Sequence, residues 1–455
     1  MNVESVAGTP SLLLGAYDLS VLGYGAEEFF VSGTATSLAE PPDRAEYTTR
    51  IVVLTPTDPG RFSGTVVVEW LNVSGGIDAP AVWFMAHREL ARAGHAYVAV
   101  SAQRVGVEGG ASLGMDMSLK TQDAERYGEL HHPGDAYSYD VFSQAGRLVR
   151  ERSADLLGSL QPKAVVAVGE SQSALFLTTY VNVVDPLAQV YDGFVVHSRF
   201  GPAAPRDGSS IFDDSDAGEP EAVPFIEDLR VPVMTVITET DLVGGVRAGY
   251  HAARQSDSDR LRTWEIPGTA HADNYTIKVG FIDSGSAPLA ELVSAYAPTA
   301  SLMGQELPYC INFAPQHHYV LQAAIAHLER WVRTDEAPPS AAPIDLTVAD
   351  PPALVLDERG LATGGVRTPW VDVPTARTSG IGAADSVMAL LFGSGEQFDH
   401  DTLDRLYPGG AADYLAQFIA SLDAVIEAGF LLAADRQEIV DLAAATYAAA
   451  HERDA

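Results

Sequence analysis

The sequence predicts an α/β protein in which helices flank a mostly parallel central sheet. Two observations support this prediction. From about residue 64, short apolar runs alternate with longer segments whose apolar residues recur with the period of a helix. Such alternation is typical of parallel strands, because parallel neighbours need a crossover connection between them. The apolar runs are also nearly continuous, as expected for strands that are buried on both faces.

The predicted strands fall into two groups. Two strand-like runs, at residues 28–31 and 49–54, come first and end in turn-forming residues, so they predict an antiparallel start. The strands predicted to be parallel follow at residues 65–70, 96–100, 164–168, 193–196, 231–237 and 261–266. Together they predict one large sheet.

Helices are predicted from apolar residues that share one face. The first follows strand 65–70, with Asp78 as its expected cap and Gly94 at its end. A second begins near Asp135. Further helices are predicted around residues 321–332, 415–426 and 439–447.

A proline-rich segment at residues 337–343 separates the last two helices from the rest of the chain. We predict that the chain forms a single unit over residues 1–455. Its core covers about residues 25–335, and a helical C-terminal extension, about residues 344–455, packs on that core.

Charge and composition exclude several classes of function. The chain has 61 acidic and 28 basic residues and a formal net charge of −33, so it should repel nucleic acids and anionic membranes. Its one cysteine, Cys310, cannot form an internal disulfide or a cysteine-based metal cluster. The chain also lacks a signal-peptide pattern and an apolar run of about 20 residues. We therefore expect a cytoplasmic protein without membrane, nucleic-acid or metal sites.

Residues 169–173, Gly-Glu-Ser-Gln-Ser, carry the strongest functional signal. They directly follow the predicted strand 164–168 and precede an apolar, helix-forming segment. A serine at a sharp strand-to-helix turn, with a glycine two residues earlier, is typical of a hydrolase nucleophile. Ser173 replaces the second glycine of that pattern, but it is also small. The pattern favours Ser171 as a nucleophile over the alternative that Ser171 only caps a helix.

A serine nucleophile needs a base, and the base needs an acid that orients it. His271 is the predicted base because it follows the last predicted strand, 261–266. Asp241, which follows strand 231–237, is the predicted acid. Glu239 lies two residues earlier and is the alternative acid. Acid and base both follow the serine in the chain, as this arrangement requires.

The reaction also needs hydrogen-bond donors for the oxyanion that forms. The backbone N–H of Gln172, next to the nucleophile, is the first predicted donor. The second is expected in the loop that follows strand 65–70, where Asn72 and Val73 are the candidates. Gly75 and Gly76 would allow this loop to approach a substrate closely.

Three segments of the chain resemble a large bacterial family of α/β-hydrolase domain proteins. They are Val-Glu-Trp-Leu-Asn-Val-Ser-Gly-Gly at 68–76, Gly-Glu-Ser-Gln-Ser-Ala at 169–174 and Gly-Thr-Ala-His-Ala-Asp at 268–273. Residues 126–135 and 364–367 are similar as well, so the resemblance extends over most of the chain. It implies the α/β-hydrolase fold in one hydrolase unit, with a serine expected at the position of Ser173. It implies no particular substrate.

Together, these residues predict a serine hydrolase. The favoured function is hydrolysis of a small-molecule carboxylic ester through an acyl-enzyme on Ser171, without a cofactor. An amidase or an acyltransferase would use the same residues. The alternative of a different class is a catalytically silent binding or scaffold protein that keeps the hydrolase fold. The sequence predicts neither the acyl nor the alcohol group of a substrate, nor the oligomeric state.

Overall fold

The computed structural model describes residues 1–211, 221–245, 247–302, 304–382 and 387–452. At its centre is a nine-stranded sheet with the order β1-β2-β3-β5-β4-β6-β7-β8-β9. The strands are β1 Asn2–Val6, β2 Tyr24–Thr36, β3 Arg44–Pro56, β4 Thr65–Trp70, β5 Ala96–Val100, β6 Ala164–Glu170, β7 Gly193–His197, β8 Val233–Thr238 and β9 Leu261–Ile266.

The sheet is antiparallel at one side and parallel over the rest. Strand β2 pairs antiparallel with both β1 and β3, and β3 also pairs antiparallel with β5. All pairs from β5 through β9 are parallel. The predicted fold class is therefore confirmed. Because the strands from β4 to β9 are parallel, their carboxyl ends meet at one edge of the sheet, where sites usually form in such folds.

Helices cover both faces of the sheet. They are α1 Ala81–Ala93, α2 Arg104–Glu108, α3 Leu119–Gln122, α4 Ala124–Tyr127, α5 Ser138–Glu151, α6 Ser153–Leu157, α7 Gln172–Thr179, α8 Asp185–Ala188, α9 Glu239–Val243, α10 Gly280–Ile282, α11 Leu289–Tyr296, α12 Gln316–Thr334, α13 Pro369–Asp372, α14 Val387–Leu391, α15 His400–Leu406, α16 Ala411–Glu427 and α17 Arg436–Glu452. Two small hairpins lie outside the main sheet: β10 Ser301–Leu302 with β11 Gln305–Glu306, and β12 Ala376–Ser379 with β13 Ser394–Gln397.

Alternate residues of each central strand enter two separate cores. In β4, Val67 packs in the core formed with α1 and α12, whereas Val66 and Val68 pack in the core formed with α5 and α7. Both faces of the strand are thus buried, which explains its nearly continuous apolar sequence. Within the described ranges, every helix is too short or too polar to span a lipid bilayer.

The C-terminal extension contributes to the first of these cores. Its helices add side chains that are at most 1% exposed: Leu403, Phe418, Leu422, Ile439 and Leu442. Trp370 stacks on Tyr319 of α12, with ring centroids 5.9 Å apart. Arg88 of α1 pairs with Glu438 at 3.1 Å. The extension and α1 therefore share one apolar interior.

The predicted cap of α1 is wrong. Asp78 does not cap the helix; its Oδ2 instead accepts a hydrogen bond from the guanidinium of Arg50 at 2.8 Å. Arg50 is fully buried, and an unpaired buried charge costs more free energy than a lost helix cap. Glu69 of β4 takes over the capping role. Its two carboxylate oxygens accept from the backbone N–H groups of Val82 and Trp83 at 2.8 and 2.9 Å.

Glu69 also accepts a hydrogen bond from the Tyr97 hydroxyl at 2.7 Å. Burial raises the pKa of Glu69 to about 8, although these donors act to lower it.

We expect Glu69→Leu to lower the free energy of unfolding by about 3 kcal/mol or more, because three buried donors lose their acceptor. Urea unfolding would measure this loss. Glu27→Leu, at an exposed position of β2, is the control and should change stability by less than about 0.5 kcal/mol. Equal stabilities of the two variants would contradict the capping role.

Candidate active site

Ser171 lies at a strained turn between β6 and α7. Its backbone angles are φ 57° and ψ −116°, a conformation that side-chain-bearing residues rarely adopt. Space is tight at the glycine two residues before it, because a Cβ on Gly169 would lie 2.9 Å from Cδ1 of Leu177 and 3.3 Å from the backbone carbonyl carbon of Ser173. The Ser171 N–H donates to the carbonyl of His197 on the neighbouring strand β7 at 3.0 Å. The turn thus places the serine at the start of α7.

Ser173 has a role in this turn that its small size alone did not predict. Its hydroxyl donates to the Glu170 carbonyl at 2.9 Å and accepts from the Glu170 N–H at 3.1 Å. A glycine at this position could make neither bond. Ser173 therefore stabilises the turn that presents Ser171.

The three residues predicted as nucleophile, base and acid lie in one hydrogen-bonded chain. His271 Nε2 lies 2.8 Å from Ser171 Oγ, and His271 Nδ1 lies 2.5 Å from Asp241 Oδ1. Asp241 is fully buried, and His271 is 8% exposed. The ring of Phe200 stacks on the imidazole, with centroids 5.3 Å apart and an interplanar angle of 29°. This packing restricts the orientation of the imidazole.

Local hydrogen bonds fix the carboxylate of Asp241. Its Oδ2 accepts from the backbone N–H and the hydroxyl of Thr238, at 2.9 and 2.7 Å. This leaves Oδ1 for the imidazole. In addition, the backbone N–H of His271 donates to the hydroxyl of Thr240 at 3.1 Å. The segment at the end of β8 therefore positions both the predicted acid and the predicted base.

Glu239, the alternative acid, points to other partners. Its Oε1 accepts from the Gly268 N–H at 2.6 Å. Its Oε2 accepts from the Ser379 hydroxyl at 2.9 Å and the Gly380 N–H at 2.7 Å. Glu239 therefore ties the loop before His271 to the C-terminal extension.

The loop after β4 reaches the turn at Ser171. The Asn72 N–H donates to the Ala79 carbonyl at 3.0 Å, so it is already used within the loop. The Asn72 side chain donates instead to the Glu170 carbonyl at 3.0 Å. Among the described residues, the partner of the Val73 N–H is Oε1 of Gln172, at a long distance of 3.4 Å. As the first residue of α7, Gln172 has a backbone N–H that no carbonyl within the helix can reach.

A cavity of about 220 Å³ opens onto Ser171 and His271. We call it the catalytic cavity. Its apolar lining includes Leu113, from the loop after α2, and Leu391, from the C-terminal extension. The sequence did not predict that the extension reaches the active site. The backbone agrees with this contact, because the N–H of Ala272, next to His271, donates to the Leu391 carbonyl at 2.9 Å.

Two carboxylates flank the imidazole. Besides Asp241 at Nδ1, Glu170 places Oε1 3.5 Å from Nε2 of His271. Burial lowers the pKa of His271, but the Asp241 carboxylate outweighs it and the pKa is raised overall. Burial also raises the pKa of Glu170 to about 7, opposed by the attraction of His271.

The raised pKa of Glu170 predicts a pH-dependent stability. Between its ordinary pKa near 4.5 and the folded value of about 7, the unfolded chain releases this proton before the folded one does. Stability should therefore fall by up to about 3 kcal/mol as the pH rises through this window. Glu170→Gln should make the total fall between pH 5 and 8 smaller by about this amount, as urea unfolding would detect, whereas Glu69, with its pKa raised to about 8, keeps its own contribution. The exposed Glu151→Gln is the control and should keep the wild-type profile. Parallel profiles for all three proteins would contradict the prediction.

Three features are typical of the α/β-hydrolase fold: the strand order, a strained serine after β6, and a hydrogen-bonded Asp241 and His271 after β8 and β9. The chain belongs to the family described as alpha/beta hydrolase domain, which matches residues 3–441. The resemblance stated from the sequence is thereby confirmed.

Several solved structures are similar to the chain. An esterase from Pyrococcus furiosus has 13% identity and a TM-score of 0.32, with 56% of this chain and 88% of that chain covered. Fungal esterases from Rhizomucor miehei have 13% identity and a TM-score of 0.30, with 69% and 86% covered. A serine hydrolase without a lid from Xanthomonas campestris has 15% identity and a TM-score of 0.31, with 53% and 85% covered. No match was found among curated proteins.

Proposed function

We propose that the protein is a carboxylic ester hydrolase that forms an acyl-enzyme on Ser171. One observation carries the proposal: a buried chain of hydrogen bonds runs from Asp241 through His271 to a serine on a strained turn. A serine hydroxyl becomes a useful nucleophile when a positioned base accepts its proton. The imidazole of His271 is suited to this role because it stacks on Phe200 and its two nitrogens contact Asp241 and Ser171.

In the first half of the reaction, Ser171 Oγ attacks the ester carbonyl while His271 Nε2 takes the hydroxyl proton. Asp241 stabilises the imidazolium that forms. The N–H groups of Gln172 and Val73 bind the oxyanion, and the substrate oxygen replaces the long bond between Val73 and Oε1 of Gln172. The alcohol then leaves with the proton from His271.

In the second half, His271 takes a proton from water as the water attacks the acyl-enzyme. The carboxylic acid leaves, and Ser171 recovers its proton. These steps need no cofactor. The catalytic cavity is smaller than the roughly 300–1,000 Å³ of pockets for drug-sized ligands, so we propose substrates with a short acyl or alcohol group.

Esters are proposed rather than amides because an alcohol leaves more readily than an amine. A series of p-nitrophenyl esters, from acetate through butyrate to laurate, tests the proposal together with the matching anilides. We expect hydrolysis that is fastest for short acyl groups, and an acyl adduct on the peptide that contains Ser171. Faster cleavage of the anilides would indicate an amidase. No reaction with any substrate would favour the silent scaffold.

A further inference from the structure

A second cavity shares part of its wall with the catalytic cavity. This second cavity, here called the polar cavity, has a volume of about 270 Å³. Gln172 and Ile211 line both cavities, so the residue that follows Ser171 belongs to the wall of each.

The side-chain amide of Gln172 is only weakly held. The residue is 3% exposed, yet its Nε2 has no hydrogen-bond partner within the described part of the chain. Its Oε1 accepts the long bond from the Val73 N–H, at 3.4 Å. Under the proposed function, the substrate oxygen takes over that N–H and releases the amide. A buried amide that lacks partners costs free energy, so it favours a ligand that supplies one.

The polar cavity differs in chemistry from the catalytic cavity. It is lined by Gln103, Arg104, Asp135 and Ser210 in addition to Gln172. Its two charged groups have opposite sign. Asp135 Oδ1 accepts from the Arg104 N–H at 2.7 Å and from the Ser138 hydroxyl at 3.4 Å. The lining has no excess of charge, so a neutral polar group fits it better than a carboxylate or an amine.

We propose that the polar cavity is a subsite for a neutral oxygen acceptor on the substrate, such as an ether, hydroxyl or carbonyl group, and that Nε2 of Gln172 donates to it. This inference rests on the proposed function and names the substrate class: esters with an oxygen-bearing acyl or alcohol part. Gln172 then has two separate roles. Its backbone N–H faces the oxyanion, and its side chain selects the substrate.

Two pairs of nearly isosteric esters test this subsite. In one pair the acyl group is β-methoxypropionate or pentanoate; in the other the alcohol is methoxyethanol or butanol with the same acid. The ratio of kcat/KM within each pair is divided by the ratio for hydroxide-catalysed hydrolysis, which removes differences in intrinsic reactivity. We expect a preference of at least about fivefold for the ether in one pair, and that pair identifies which part of the substrate enters the polar cavity.

The variant Gln172→Met keeps the length of the side chain but removes the donor. It should lower the preference to less than about twofold. Gln161→Met, at an exposed position, is the matched control and should keep the wild-type preference. Thermal unfolding of both variants shows whether each one folds, and the kcat/KM ratio within a pair does not depend on the amount of active enzyme.

The possible failures are distinguishable. If no ester is hydrolysed, the proposed function fails. If all four esters are hydrolysed without an ether preference, or if Gln172→Met keeps that preference, the subsite is overturned while the esterase stands. The subsite would also be overturned if monoethyl succinate had a higher corrected kcat/KM than both ether esters and lost this advantage in Arg104→Ala. Arg104 would then recognise an anion.

Discussion

Replacing Ser171 with alanine is expected to lower kcat for ester hydrolysis by about 10⁴-fold or more, with little change in KM. Removal of the nucleophile from a serine-histidine-aspartate site typically has effects of this size, because the remaining groups cannot form the acyl-enzyme. The hydroxyl bonds only to His271 among the described side chains, so its loss should leave the fold intact.

The measurement is steady-state kinetics on the best ester of the p-nitrophenyl series, with circular dichroism to verify folding. Ser159→Ala, at an exposed position, is the control and should retain full activity. A Ser171→Ala enzyme with more than about a tenth of the wild-type kcat would show that hydrolysis proceeds without this nucleophile.

Asp241→Asn is expected to reduce kcat by about 10⁴-fold. The carboxylate of Asp241 accepts a hydrogen bond from Nδ1 of His271, which keeps Nε2 unprotonated and able to accept the serine proton. The amide of an asparagine can instead donate to Nδ1, which favours the unproductive tautomer. Asparagine also leaves no negative charge to stabilise the imidazolium.

Glu239→Gln is the matched comparison, because it neutralises the other candidate acid. The Glu239 carboxylate accepts hydrogen bonds from Gly268, Ser379 and Gly380, so the substitution should lower the free energy of unfolding. The kcat of the folded fraction, counted by active-site titration, should change by less than about tenfold. If Glu239→Gln lowered this kcat more than Asp241→Asn, Glu239 would be the acid.

The central strands could be predicted from the sequence because burial on both faces forces a continuous apolar run. Strands β4, β5 and β9 have the predicted bounds. The proximity of Ser171, Asp241 and His271 could be predicted for a related reason. Each follows a strand, and the carboxyl ends of parallel strands meet at one edge. Their catalytic roles stay a prediction until the kinetics are measured.

Other features depend on contacts between distant parts of the chain. The edge strand β1 is mostly exposed, so it has no apolar pattern that would reveal it. Asp78 and Glu69 both offer carboxylates near α1, and only the burial of Arg50 decides which of them caps the helix. The contact of Leu391 with the catalytic cavity depends on how the C-terminal extension packs. Local sequence carries no signal for such choices.

The central claim is that Ser171 is an activated nucleophile, and labelling with a fluorophosphonate probe tests it most directly. The probe forms a covalent bond only with a serine that a neighbouring base activates, so it requires no knowledge of the substrate. We expect the wild-type protein to bind one probe molecule, which mass spectrometry should locate on the peptide that contains Ser171, and Ser171→Ala to remain unlabelled. A wild-type protein that stays unlabelled, or a Ser171→Ala variant that is labelled equally, would contradict the claim.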